Sequence, residues 1–258
     1  ISINRKTSNN KIRVRYQNAD GSYGSYSEVV NGTFRVGETV SWTKAEDNNY
    51  KATTCSFTAT KTDQTKECNV DRRTSLNIIE VKYQKADGNY ETAQEVKKET
   101  LRVGQTISWS KDQDNTYLAA STSITATASN QTKTIEIKRR TSTNVIQVRY
   151  QNADGSYGSY SNVVNGSYRV GQIVSWEYTQ NATYSATSTT FTATHENQTK
   201  NIDVKRRTYT LTINKGTGIS SVTGNGSHRA GETVSISATA SSGYKFTSWS
   251  KDAGTLDN

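Results

Sequence analysis

Along residues 11–16, Ile12, Val14 and Tyr16 alternate with Lys11, Arg13 and Arg15. A period of two with one apolar side predicts a strand with one buried face. Asn18-Ala19-Asp20-Gly21 follows with turn chemistry: Gly tolerates positive φ, and Asp bonds to its own backbone. Val29-Val30 and Phe34–Val36 then flank Asn31-Gly32, a pair that by itself reads as a tight hairpin turn. Sixty-seven residues later the same place holds Lys98-Glu99, so such a turn is not obligatory, and 92–100 also reads as a turn of helix. Thr39–Trp42 reads as a further strand. Phe57 and Ala59 are expected to pair, by hairpin logic, with Val70 across Thr62-Asp63. The closing run ECNVDRR (67–73), or TIEIKRR (134–140), passes through TSLN or TSTN into the next opening strand.

The pattern recurs at a fixed step. Tyr16, Tyr83 and Tyr150 are 67 residues apart, as are Trp42, Trp109 and Trp176, and Arg73, Arg140 and Arg207. Between 12–42 and 146–176 only six of 31 positions differ, so the run YQNADGSYGSY at 16–26 and 150–160 belongs to a unit copied whole. A fourth, divergent unit aligns through Gly37, Gly104, Gly171 and Gly231. Each opens a G-[EQ]-x-[VI]-S stretch, followed thirteen residues on by Tyr50, Tyr117, Tyr184 or Tyr244. The units span 7–73, 74–140, 141–207 and 208–258. Residues 1–6 match the end of a repeat, since ISINRKTSNNKI (1–12) aligns with IEIKRRTSTNVI (135–146). By the same comparison the fourth unit lacks a closing strand. Two explanations stand: these residues belong to a longer array, or Ile1 and Ile3 of one molecule form a donor strand completing the fourth unit of the next.

Composition narrows the function. Only 31% of the 258 residues are hydrophobic, so several small, thinly filled units are expected rather than one core. No apolar run approaches the ~20 residues that span a bilayer, which predicts no membrane insertion in this segment. There is no Met, and no signal peptide is visible, so the chain reads as a mature segment or a cut piece. Zero Pro excludes a proline-rich wall linker and a sortase-type anchor within these residues. Two His leave little material for catalysis or metal binding, and no nucleophile motif or phosphate loop is present. The chain is read as no enzyme, with no cofactor. The net charge of +9 comes with no nucleic-acid-binding motif.

The fourth unit carries a resemblance. Its GETVSISATASSGYKFTSW (231–249) is similar to the glycine–tyrosine–aromatic–tryptophan signature of the divergent internalin-type B repeat, also called the Listeria–Bacteroides repeat. The resemblance covers about 208–251. It implies a bacterial surface or secreted protein, hence an extracellular location, and a small β-grasp-like fold. The first three units keep the Gly…Tyr spacing without the final Gly-Tyr and Trp, and are also similar to mucin-binding-type repeats of adhesins. The expected fold is mainly β: four small tandem repeat domains, β-grasp-like or Ig-like, forming an elongated rod with short, stiff junctions.

Candidate sites follow. Cys55 and Cys68 lie on the predicted inward face, beside Phe57 and Val70, where the other units have Thr122 and Ile135, or Thr189 and Ile202. They read as a disulfide across neighbouring strands, stabilising by roughly 3 kcal/mol in the chain-entropy model, or as two buried thiols. Tyr23, Tyr26, Tyr157 and Tyr160 read as contacts for a sugar ring or a host protein, or as covers for the edge of a thin core. The pairs Arg5-Lys6, Arg72-Arg73, Arg139-Arg140 and Arg206-Arg207 read as a ladder for anionic polymers. Alternatively they are edge-strand charges that block aggregation, or partners for acids on the next unit. Asn18-x-Asp20-Gly21 has too few carboxylates for calcium and reads as a turn. The leading expectation is an adhesin stalk. The others are a fibre subunit joined by strand donation, and multivalent glycan- or protein-binding repeats.

Overall fold

The computed structural model describes residues 4–251. The chain divides into two compact units, one ending at Arg140 and the other beginning at Thr141. No helix occurs among the described residues.

The first repeat contains β1 (Thr7–Tyr16), β2 (Ser27–Arg35), β3 (Thr39–Lys44), β4 (Thr53–Thr58) and β5 (Gln64–Val70). β1 is the central strand of a three-stranded sheet, antiparallel to β2 and parallel to β5. Its alternation places Ser8, Asn10, Ile12 and Val14 inward, all buried. The β3–β4 hairpin forms a second sheet, aligning Val40 with Phe57 and Trp42 with Cys55. Ile12, Val14, Val40, Cys55, Ala59 and Val70 make the core between the two sheets, flanked by Tyr16, Phe34, Trp42 and Tyr50. The parallel β1–β5 pair sets this unit apart from the all-antiparallel immunoglobulin sandwich.

The expected hairpin between Phe57/Ala59 and Val70 does not form. Ala59 stays with the β3 side: its N–H donates to Glu38 O at 2.8 Å, and Gly37 N–H donates to Ala59 O at 2.8 Å. The chain then crosses to the main sheet, where Ser8 Oγ donates to Thr60 O at 2.6 Å and Asn9 N–H donates to Asp63 Oδ1 at 2.8 Å. β5 therefore leaves its sequence neighbour and lies along β1, from Asn10↔Gln64 to Tyr16↔Val70. Asn31-Gly32 is no turn either. It lies within β2, with Gly32 opposite Asn10, and a bulge at Ile12/Arg13 adjusts the register.

The second repeat repeats this plan with β6 (Thr74–Tyr83), β7 (Gln94–Arg102), β8 (Thr106–Lys111), β9 (Ala120–Thr125) and β10 (Gln131–Ile137). Lys98-Glu99 falls inside β7, which settles 92–100 as strand at its centre rather than helix. The stretch TSLN, expected to be a short junction, is the first part of β6, with Ser75 and Asn77 buried.

The second compact unit holds β11 (Thr141–Tyr150), β12 (Ser161–Arg169), β13 (Ile173–Tyr178), β14 (Thr187–Thr192) and β15 (Gln198–Val204), arranged as in the first repeat. It continues with β16 (Thr208–Leu211), β17 (Ile219–Thr223), β18 (Gly226–Arg229) and β19 (Ser237–Ala240). β16 pairs with β18 and β17 with β19, both antiparallel. Among the described residues β16 has no parallel partner.

Candidate functional site

The most elaborate constellation lies where one repeat meets the next, and it is built from an Asx turn. Asp47 Oδ1 accepts the N–H groups of Asn49 and Tyr50 at 2.8 and 2.7 Å, while Lys44 Nζ donates to Oδ2 at 2.6 Å. The lysine bond, then the two N–H bonds, hold this carboxyl down at about 2. Asp114 has the same partners in the second repeat, and Asn181 makes the corresponding turn in the third. The turn presents Tyr50, whose ring meets Tyr16 edge-on at 4.9 Å.

Arg72 lies over that ring, 5.2 Å from its centroid. Its Nε donates to Gln17 O at 2.9 Å within the first repeat. Its Nη1 donates to Val103 O at 2.8 Å in the second. Val103 N–H returns a bond to Arg73 O at 2.9 Å. Arg73 meets Glu46 at 3.3 Å in its own repeat and donates to Ala128 O at 3.4 Å in the next. The expectation that these cations pair with acids of the following unit is therefore corrected. Their partners there are backbone carbonyls, matched by a planar fork of donors on a tyrosine face. The turn at Gly21 joins the same contact. Gly21 has φ +95°, and a Cβ there would stand 3.0 Å from the Arg102 guanidinium. Asp20 accepts the N–H and hydroxyl of Ser22 at 2.9 and 2.6 Å, bonds that lower its pKa.

Between the third and fourth repeats the pattern returns. Arg206 lies 5.3 Å over Tyr184, donates Nε to Gln151 O at 2.9 Å, and donates Nη1 to Ala230 O. Ala230 N–H bonds to Arg207 O at 2.8 Å, and Tyr209 Oη donates to Ala182 O at 2.8 Å. A Cβ on Gly155 would stand 2.9 Å from Arg229. In the second repeat Arg139 covers Tyr117 at 5.1 Å.

The four tyrosines singled out in the sequence are grouped in pairs around an arginine. The Arg15 guanidinium lies 4.8 Å from the Tyr23 ring and 4.7 Å from Tyr26, and its Nε donates to Asn69 at 2.8 Å. Tyr23 Oη donates to Asp71, a bond that raises the phenol's pKa. Arg149 lies between Tyr157 and Tyr160 at 4.8 and 4.7 Å and forms a two-pronged bond with Asp203 at 2.7 and 3.0 Å. Tyr160 Oη bonds to Asp203 at 2.9 Å. The second repeat has Lys82 for the arginine and Ala93 for the second tyrosine.

Cys55 and Cys68 are joined as a disulfide with Cα atoms 6.2 Å apart. It links β4 to β5, strands of different sheets, rather than neighbours in one sheet. In the second repeat an open groove of about 550 Å³ is lined by Ser108, Trp109, Ser121, Ser123 and Lys133, among others. Sequence reading missed one recurring device. Asn10 is fully buried on the central strand and donates to Ser8 O and Oγ at 3.1 and 2.9 Å. Asn77 and Asn144 do the same, and the signal is the run Ser-x-Asn at the start of the first three opening strands. Among the described residues no cluster of His, Cys, Asp and Glu could hold a metal, and no helix is long and apolar enough to cross a membrane. Ile1 and Ile3 lie outside the described residues.

Within each compact unit, small β-repeats follow one another and are fastened through backbone bonds. Residues 209–258 match the family model of the divergent InlB B-repeat domain, in agreement with the resemblance in the sequence. The match covers the fourth repeat and does not extend to the first three. Among solved structures the chain is similar to the Bacillus anthracis TIE protein, at 10% identity and a TM-score of 0.43. That alignment covers 78% of this chain and 51% of the other, so the chain spans about half the length of that structure. No curated protein matches.

Proposed function

We propose that this segment is the stalk of a bacterial cell-surface or secreted adhesin, holding a binding region away from the surface that carries it. The observation that supports this reading is the Arg72 guanidinium, bonded to Gln17 O in one repeat and to Val103 O in the next. Arg206 does the same between Gln151 and Ala230. A fastening of this kind limits rotation between neighbouring repeats, which a stalk requires and an independent binding module does not. The recurring basic pairs serve this purpose in preference to a polyanion, and the reading assigns the chain no catalytic role. Small-angle scattering of the full chain tests it. The wild type is expected to scatter as one stiff, extended particle, and Arg72→Ala with Arg206→Ala to broaden the distance distribution. A wild-type profile that already fits freely jointed beads would sink the stalk reading.

A further inference from the structure

The run YQNADGSYGSY is identical in the first and third repeats, and it builds the same loop in both. Gln17 bridges to Tyr23 as Gln151 does to Tyr157. Gly24 N–H donates to Tyr16 O at 3.0 Å, as Gly158 N–H does to Tyr150 O at 3.1 Å. In each repeat the loop sets two tyrosines against one arginine of the central strand, Arg15 or Arg149, with ring centroids 4.7 and 4.8 Å from the guanidinium. What differs is the neighbour of that arginine on the closing strand. Asp203 lies beside Arg149, whereas Asn69 lies beside Arg15.

The third repeat satisfies this cluster internally. Arg149 Nε, Arg149 Nη2 and Tyr160 Oη all donate to the Asp203 carboxylate, at 2.7, 3.0 and 2.9 Å. In the first repeat Asn69 Oδ1 accepts from Arg15 Nε at 2.8 Å. A guanidinium only donates, so it takes the oxygen of the amide. The NH2 group then stands on the side where Asp203 offers its second oxygen. Among the described residues no acceptor is bonded to Arg15 Nη1 or Nη2, to Tyr26 Oη or to Asn69 Nδ2. The nearby acids are engaged elsewhere: Asp71 accepts from Tyr23 Oη, and Glu67 pairs with Arg13 at 3.2 Å. Donors of three side chains thus gather, in the first repeat, around a place that a carboxylate fills in the third.

We propose that Arg15, Tyr26 and Asn69 bind the carboxylate of an acidic sugar. Arg15 supplies the charge and a planar fork of N–H groups, already held against two rings. Tyr26 Oη donates to the same carboxylate, as Tyr160 Oη does to Asp203. The surroundings suit a sugar better than a bare acid. Tyr23 and Tyr26 present ring surface to its C–H faces, and Asn69 Nδ2 is free to bond a hydroxyl. Gly24 and Ser25, between the tyrosines, are exposed and add no bulk. The second repeat has Lys82 and Ala93 at the places of the arginine and the second tyrosine, so it offers no such site.

The test is a nuclear magnetic resonance titration of the full chain with glucuronate, with glucose and acetate as comparisons. Glucuronate is expected to shift the Arg15 Nε–H and Tyr26 signals saturably, glucose to leave them in place, and acetate to bind more weakly. Two substitutions exchange the neighbours of the arginines, each giving one repeat a residue that the other already carries. Asn69→Asp fills the site from within and is expected to weaken binding about tenfold or more. Asp203→Asn opens the third repeat and is expected to add a second set of shifts, at Arg149 and Tyr160. The proposal is overturned by no saturable shift with glucuronate, by acetate binding as tightly, by shifts that survive Asn69→Asp, or by no second site in Asp203→Asn. A blocked aspartate peptide that binds more tightly than glucuronate also overturns it, making the partner an acidic protein segment. None of these results bears on the stalk reading, which rests on Arg72 and Arg206.

Discussion

Arg72 and Val103 belong to different repeats, yet the arginine's Nη1 donates to the valine's carbonyl at 2.8 Å while its guanidinium lies over Tyr50. A hydrogen bond from a charged group contributes about 1.5–3 kcal/mol. Arg72→Ala is expected to weaken coupling between the first two repeats by about that amount. Arg72→Lys should restore little, since an ammonium carries its donors on one nitrogen and lacks the spaced, planar fork whose Nε and Nη1 reach the two carbonyls. Hydrogen exchange at Val103 N–H reads the effect directly, and unchanged protection in Arg72→Ala would exclude a fastening role.

The disulfide provides a comparison inside one molecule. Cys55→Thr with Cys68→Ile gives the first repeat the residues the second already carries. Closing a loop of this size contributes about 3 kcal/mol in the chain-entropy model. The first repeat is expected to unfold at lower urea in the double variant, with the others unchanged. Exchange mass spectrometry resolves the repeats, and a uniform shift across all of them would contradict this.

Acid should loosen the Asx turns selectively. Asp47 and Asp114 are held at about 2, well below the ordinary 3.8, by a lysine and two backbone N–H groups each. A carboxylate with a depressed folded pKa contributes stability that is complete above its ordinary value and is lost as pH falls toward 2. Amide shifts of Asn49, Tyr50, Thr116 and Tyr117 should therefore move in that window. Those of Thr183 and Tyr184 should not, because Asn181 bears no charge. Equal movement at all three turns would contradict the assignment.

Gly21 and Gly24 make a matched pair. Gly21 has a positive φ, and a Cβ there meets the Arg102 guanidinium at 3.0 Å; a Cβ on Gly24 meets only Tyr16 O, at 3.8 Å. Gly21→Ala is expected to destabilise by about 1–2 kcal/mol. Gly24→Ala should change stability by no more than about 0.5 kcal/mol. Thermal unfolding of the two variants checks the difference.

Alternation and the 67-residue step made the strands legible in the sequence, because a half-buried strand writes its period of two directly. The same period does not name a strand's partner. Val70 reads equally well as one side of a hairpin with Phe57 or as the parallel neighbour of Tyr16, and the bonds from Ala59 to Gly37 and Glu38 decide between them. The junction arginines were visible as recurring charge, but their use was not, since backbone carbonyls leave no mark in a sequence. Asn10 was hidden likewise: a polar residue at an inward position breaks the pattern from which inwardness is inferred.

The parallel pairing of β1 and β5 has a mechanical meaning. A repeat begins at the start of one strand and ends at the finish of its neighbour, which runs in the same direction. Tension on the two ends of a repeat therefore slides β5 along β1 and loads the ladder from Asn10 to Tyr16 in shear. All of its bonds must yield together, whereas a hairpin pulled at its open ends surrenders them one after another. A unit built this way is suited to a chain that is pulled.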